Sequence, residues 1–287
     1  MSGISGRALH HVFRIGNRAA TMDFYRKILG MKVLRHEEFT ETCAAQCNGP
    51  YDNRWSKTMV GYGDESTHFV IELTYNYGVK SYKLGNDFGG VTIKSKTVLE
   101  KAQLNKYPYE TLNDGRLLLK APDGFNFFIL NEAAAADEDP IKFIIYNVTD
   151  LSASIKYWNG ILNMTIIRQD ATSALLSYNN GRFGIEFKKI DEKFDRAEAF
   201  GRIAFGVPYA LQPDISNLIE KNSQVILTPL VTLDTPGKAS VRVVILSDPN
   251  GHEICFVDDE GFSQLSAYDP SSEAELDKFI KKDPFQI

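Results

Sequence analysis

Cysteine is scarce in this chain, basic charge is not in excess, and long apolar runs are missing. The 287 residues hold three cysteines, Cys43, Cys47 and Cys255. So sparse and odd a set excludes a disulfide-dense secreted scaffold and points to a reducing compartment. Cys43 and Cys47 have the spacing of a zinc half-site, but His36 is the only further ligand close in sequence, so free thiols in a loop are expected. Thirty-two basic residues against 37 acidic ones leave a net charge of −5. That is not the basic excess a nucleic acid or an anionic membrane would attract, and neither partner is expected. No stretch approaches the roughly 20 apolar residues that span a bilayer. The opening MSGISGR has no apolar h-region, so no secretory signal is expected, and it makes a poor mitochondrial presequence. A cytoplasmic protein is the expectation, with the mitochondrion left open.

What is present reads as globular. Hydrophobic residues make up 43% and charged residues 24%, the balance of a soluble protein with a sizeable core. The length serves one large or two ordinary domains. Residues 8–15 alternate, with His10, Val12 and Arg14 on one face of a strand and His11, Phe13 and Ile15 on the other. Asn17 reads as a helix N-cap, and Met22, Tyr25, Ile28 and Leu29 form one helical stripe that Gly30 ends. Strands follow at 31–39, 57–63 and 68–75, around a polar loop at 40–55 that is longer than most connections. Residues 88–94, 97–104, 116–120 and 125–130 read as strand, helix, strand and strand, and 133–139 (AAAADED) as a linker.

The second half repeats the first. MDFYRKILGMKVLR at 22–35 matches IKYWNGILNMTIIR at 155–168, and HFVIEL at 68–73 matches RFGIEF at 182–187. FGGVTI at 88–93 matches FGRIAF at 200–205, and PDGFNFFIL at 122–130 matches PNGHEICFV at 249–257. Matches kept in one order decide the architecture. The expectation is an α+β fold of four βαβββ modules in two pairs. An N-terminal domain spans 7–134 (modules 7–80 and 84–134), a C-terminal domain 139–262 (modules 139–192 and 198–262), and a tail 263–287. The tail carries a charged helical stretch at 273–282 that packs on the surface or trails free.

Two residues stand out of their strands. His10 sits in an apolar strand and Glu72 within Val70-Ile71-Glu72-Leu73. A buried carboxylate is costly unless a cation or hydrogen bonds compensate it. A His and a Glu from the first and last strands of one module, with two equivalents from another, would make a four-ligand site for Zn²⁺ or Ni²⁺ that leaves positions for substrate. Such an ion can grip two adjacent oxygens and stabilise an enediolate, and a ligand carboxylate can move a proton. Read alone, His10 is more simply a hydrogen-bonded core histidine. His11, Tyr157 and Trp158 read as packing, Lys188 to Arg196 as a solvated loop, and His252 as an exposed turn residue.

LHHVFRIGNRAATMDFYRKILGMKVLR and VIELTYNYGVKSYKLG closely resemble glyoxalase I of the vicinal oxygen chelate superfamily, and the four-module layout with NGPYDNRWSKTMVGYG resembles its longer members. The resemblance implies paired βαβββ modules and, in a working enzyme, conversion of the methylglyoxal–glutathione hemithioacetal to S-lactoylglutathione. It places metal ligands at His10 and Glu72, with Glu72 catalytic if the enzyme is active. The other two ligand positions depend on pairing. They fall on Gly90 and Phe128 if module one pairs with module two, and on Arg202 and Cys255 if it pairs with module four. The equivalent positions opening the second half are Phe143 and Glu186, the latter expected to be an ion-paired strand residue. Arg202 is expected to pair with Glu72, while Cys255 or Glu253 could substitute as a ligand. No cofactor is assigned outright; Zn²⁺, Ni²⁺ or Co²⁺ is the ion the resemblance allows.

Two functions are therefore expected in competition. One is a glyoxalase-like protein with an incomplete metal site, binding a small molecule, glutathione-derived among the candidates, or a protein partner in the old cleft. The other is an active lactoylglutathione lyase with substitute ligands. A dioxygenase or isomerase of the same superfamily ranks behind, because iron chemistry wants two histidines and a carboxylate and only His10 is in place. The chain is read as a monomer, with a homodimer as the alternative.

Overall fold

The computed structural model describes residues 3–52, 54–178, 182–235 and 237–285. Asn53 of the long loop and the last two residues of the tail lie outside that set. The first module is β1 (Arg7–Ile15), α1 (Arg18–Asp23), β2 (Lys32–Phe39), β3 (Trp55–Gly61) and β4 (Val70–Asn76). The second is β5 (Phe88–Lys94), α2 (Val98–Leu104), β6 (Glu110–Thr111), β7 (Leu117–Lys120) and β8 (Asn126–Leu130). The third is β9 (Ile141–Val148), α3 (Leu151–Ile155), β10 (Thr165–Gln169), β11 (Ser173–Ser177) and β12 (Gly184–Lys189). The fourth is β13 (Arg202–Val207), α4 (Gln212–Lys221), β14 (Val225–Leu233), β15 (Val241–Ser247) and β16 (Glu253–Asp258), followed by α5 (Asp259–Leu265) and α6 (Ser272–Lys282).

The repeat extends to backbone detail. The Asn17 side chain accepts from Ala20 N and the Asp150 side chain from Ala153 N, each at 3.0 Å, satisfying an otherwise orphaned first-turn amide. Both helices then widen into a π-helical turn, Phe24–Leu29 and Lys156–Ile161. Both stop at a left-handed residue, Gly30 (φ 76°) and Asn163 (φ 62°). Each stop is sealed by the next amide reaching back, Met31 N to Tyr25 O and Met164 N to Trp158 O, at 2.9 Å.

Strand pairing crosses the two halves of the sequence. One eight-stranded sheet has the order β14-β15-β16-β13-β1-β4-β3-β2, so module one joins module four. The other runs β10-β11-β12-β9-β5-β8-β7-β6, so module three joins module two. The join in the first sheet is an antiparallel β1–β13 ladder that sets His10 opposite Ala204. The core lies between the sheets. Phe13, fully buried, meets Phe88, Phe125 and Phe127, and His11 packs on Phe13, Phe88 and Tyr146, as the alternation of β1 requires. Tyr157 and Trp158 are core residues, Trp158 donating to Asp248 at 3.1 Å.

Three expectations are corrected. His252 is buried rather than exposed, because Asp248 (3.1 Å) and the Asp87 carbonyl (3.2 Å) engage both ring nitrogens and Tyr146 stacks on it. Cys43 and Cys47 are joined as a disulfide rather than free. A turn with Gln46 at φ 51° and Gln46 N bonded to Cys43 O brings their Cα atoms to 5.5 Å. Of the two expectations for the tail, packing on the surface is what is found and trailing free is corrected. Asp283 accepts from the buried Arg18 at 2.9 Å, Phe279 O accepts from the same guanidinium at 3.2 Å, and Arg18 also pairs with Glu38.

Candidate functional site: a charged cleft on the first sheet

The face of the first sheet turned away from the core carries a cleft of about 750 Å³, open solvent at its mouth included. Register decides what lines it. His10, Val12 and Arg14 of β1 share this face with Glu72 and Thr74 of β4, because Val12 stands opposite Glu72 and Arg14 opposite Thr74. Lys57 of β3 stands opposite Thr74, and Arg35 of β2 lies two strands from Glu72. On the module-four side, Arg202 stands opposite Glu253, and Ala204 opposite Cys255. Beyond them the wall is apolar: Leu233, Val241, Val243, Ile245, Val257 and Phe262. One wall is thus charged and the other greasy, the shape of a site for a small ligand with an ionic head and an apolar body.

His10 Nε2 lies 3.3 Å from Glu72 Oε2, with both side chains nearly buried. Burial first, then the charges of Lys57, Arg35, Arg202 and Arg7, hold the imidazole well below its usual range. The ring is therefore neutral at physiological pH. Its Nδ1 is buried and has no partner among the described residues. Glu72 also faces Thr74 Oγ1 at 3.5 Å and Lys57 Nζ at 4.0 Å.

The expected Arg202–Glu72 pair is absent. Arg202 Nε and Nη2 instead bind Glu253 Oε2 at 3.0 and 2.7 Å, and Nη1 donates to Ala45 O at 3.0 Å. The reason is topological: β13 and β16 are in-register neighbours, whereas β1 lies between β13 and β4. Arg196 adds a third bond to Glu253 at 3.2 Å and stacks on Phe200, as Arg14 does from the cleft side. Burial would raise the Glu253 carboxyl, but Arg202 and Arg196 overcome it and hold the group below the usual carboxylate range. Burial pushes the Cys255 thiol up to about 12, so it stays protonated at neutral pH. Arg35 is spent on Glu65, which it binds through two nitrogens at 2.8 and 3.0 Å, and on Glu37 at 2.8 Å.

Gly90, Phe128, Phe143 and Glu186 are not in this cleft. They lie on the second sheet, where Thr92 stands between Phe128 and Phe143 in register. There Glu186 pairs with Arg168 at 2.6 Å, as expected for an ion-paired strand residue. Gly90 (φ 146°) backs onto Phe128: a Cβ at Gly90 would come within 2.7 Å of that ring. Sequence reasoning passed over Lys57 and Arg35. Their signal was the period-two alternation of β2 and β3, which places both on the Glu72 face.

Residues 7–133 match the Glyoxalase/Bleomycin resistance protein/Dioxygenase superfamily, and 150–265 match the glyoxalase domain-containing protein 4-like C-terminal domain. A rat protein named Glyoxalase domain-containing protein 4 is 49% identical over 98% of this chain and 94% of its own. The chain belongs to the glyoxalase superfamily. Within that superfamily, Caenorhabditis elegans Glyoxalase 1 is 47% identical over 98% of both chains. The crystal structure of glyoxalase I from Zea mays superposes with a TM-score of 0.73 at 25% identity, covering 90% of this chain and 94% of that one. The glyoxalase frame is thus complete, four modules in two sheets. Among the described residues, no group of three or more His, Cys, Asp or Glu side chains could hold a metal ion. Likewise, no described helix is long and apolar enough to cross a membrane.

Proposed function

We propose that this glyoxalase-superfamily chain binds a small organic acid, glutathione-derived in the first instance, in the His10–Glu72 cleft and does so without a four-ligand metal. The observation that carries the reading is the fate of the other two ligand positions. Arg202 is a cation already bound to Glu253, and Cys255 is a protonated thiol. A metal site needs donors with lone pairs free, and a guanidinium has none to give. Glu253, the remaining substitute, is held by two arginines. The residues present therefore do not fit the ion that glyoxalase I chemistry implies. Each sheet joins its two modules inside one chain, which supports a monomer as the working form.

An active lactoylglutathione lyase is the second reading. It is favoured by the His10–Glu72 separation of 3.3 Å, which suits two ligands on one ion. The two readings separate in one set of measurements. Metal content is read by mass spectrometry, hemithioacetal turnover is assayed with added Zn²⁺, Ni²⁺ or Co²⁺, and S-lactoylglutathione binding is measured by calorimetry in EDTA. The proposal expects binding in EDTA and no metal-stimulated turnover. Turnover that Glu72→Gln abolishes would overturn it.

A further inference from the structure

Among the described residues, Lys57 is the cleft lysine or arginine that donates no hydrogen bond at all. Arg35 is used by Glu65 and Glu37, Arg202 by Glu253 and Ala45 O, and Arg14 by the Glu198 carbonyl at 2.8 Å. Lys57 Nζ comes no closer to a carboxylate than 4.0 Å, at Glu72 Oε2, and 5.7 Å from the Phe39 ring centre. Among the described residues it donates no hydrogen bond, though its side chain is only 15% exposed. An ammonium carries three donors, and burying them unspent is unfavourable unless something in the cleft takes them.

The neighbouring pair supplies the contrast. His10 Nε2 and Glu72 Oε2, 3.3 Å apart, have the spacing of two atoms that share a zinc ion, and His10 Nδ1 has no partner among the described residues. The edge of a metal site is present, but a fixed positive charge stands beside it. Repulsion between a unit and a double charge about 5 Å apart, at an effective dielectric of about 50 in a cleft open to solvent, weakens ion binding by about a hundredfold.

We propose that Lys57 is the resident cation of this cleft: it keeps a divalent ion off the His10–Glu72 pair and takes the anionic oxygen of the ligand in the ion's place. The anion half of this statement rests on the proposed function; the exclusion of metal does not. Lysine suits the role because its ammonium is a point charge on a flexible stem, able to follow a carboxylate or enolate oxygen.

The test titrates Zn²⁺, Ni²⁺ and Co²⁺ by calorimetry into the wild-type chain, Lys57→Met, Lys57→Arg and the double variant Lys57→Met/His10→Ala. Lys57→Gln serves as a second neutral variant should Met fail to fold. Lys57→Met gains about a hundredfold in ion affinity over wild type, Lys57→Arg behaves as wild type, and His10→Ala removes the gain. Equal affinities in wild type and Lys57→Met overturn the exclusion. A parallel titration with S-lactoylglutathione in EDTA expects a loss of at least about tenfold in Lys57→Met, with Lys57→Arg retaining binding. Undiminished binding in Lys57→Met overturns the anion half. A wild-type chain that binds no S-lactoylglutathione, while Lys57→Met still gains metal, overturns the proposed function and leaves the exclusion standing.

Discussion

Removing the Glu253 charge tests how the cleft is held together. Three hydrogen bonds converge on this carboxylate, from Arg202 Nε (3.0 Å), Arg202 Nη2 (2.7 Å) and Arg196 Nη2 (3.2 Å). In Glu253→Gln the shape is kept while two guanidiniums lose their counter-charge in a site where Arg202 and Glu253 are 14% and 13% exposed. Breaking one partner of a fully buried pair costs about 3–5 kcal/mol, and the residual exposure here brings the expectation to roughly 2–4 kcal/mol. The assay is urea unfolding followed by tryptophan fluorescence and circular dichroism, compared at the midpoint. Its pH dependence carries a sign. The folded carboxyl titrates below the unfolded one. Its stabilisation is therefore complete above the ordinary glutamate value of about 4.3 and is lost as pH falls through the lower folded value. Wild type should approach the variant in stability on that acid limb. A difference below about 0.5 kcal/mol at pH 7, or one unchanged down to pH 2, would refute the reasoning.

Other perturbations have defined outcomes. Asp283→Asn leaves Arg18, 1% exposed, with Glu38 as its remaining carboxylate, and should cost about 2–3 kcal/mol in urea unfolding. Gly201→Ala would bring a Cβ within 2.0 Å of Val12 O, a backbone atom on the cleft strand. It should lower stability by about 2 kcal/mol or more and weaken cleft binding of S-lactoylglutathione, read by thermal melts and calorimetry. Cys255, its thiol pushed up to about 12, should react with iodoacetamide at pH 7.5 far more slowly than a free thiol of ordinary pKa near 8.5, as scored by intact mass.

The frame was legible because its signals are local and repeated. Asn17 and Asp150 open their helices, and Gly30 and Asn163 close them, in sequences that also match in apolar register. The alternation of β1 separated Phe13 from His10 correctly, since a strand has only two faces. Charge pairing was not legible in the same way. Arg202 meets Glu253 because their strands are hydrogen-bonded neighbours in register, a relation fixed by which modules pair rather than by the residues' own segments. His252 was misjudged because Asn250-Gly251 is a good turn signal, whereas burial of the ring depends on Asp87 and Tyr146 from two other modules. Lys57 went unnoticed because a lone lysine in a strand looks solvated until Glu72 and His10 are seen to share its face.

The union of β1 with β13 has a consequence for how the chain is made. The first module is complete at Asn76, yet the outer edge of β1 finds its partner only when Arg202–Val207 has emerged from the ribosome. At ~5–20 residues per second that interval is on the order of ten seconds or more, during which β1 keeps an open hydrogen-bonding edge. The pocket's two walls are among the earliest and latest parts of the polypeptide to be translated. A message truncated before Arg202 thus leaves β1 without its β13 partner and the cleft without its module-four wall.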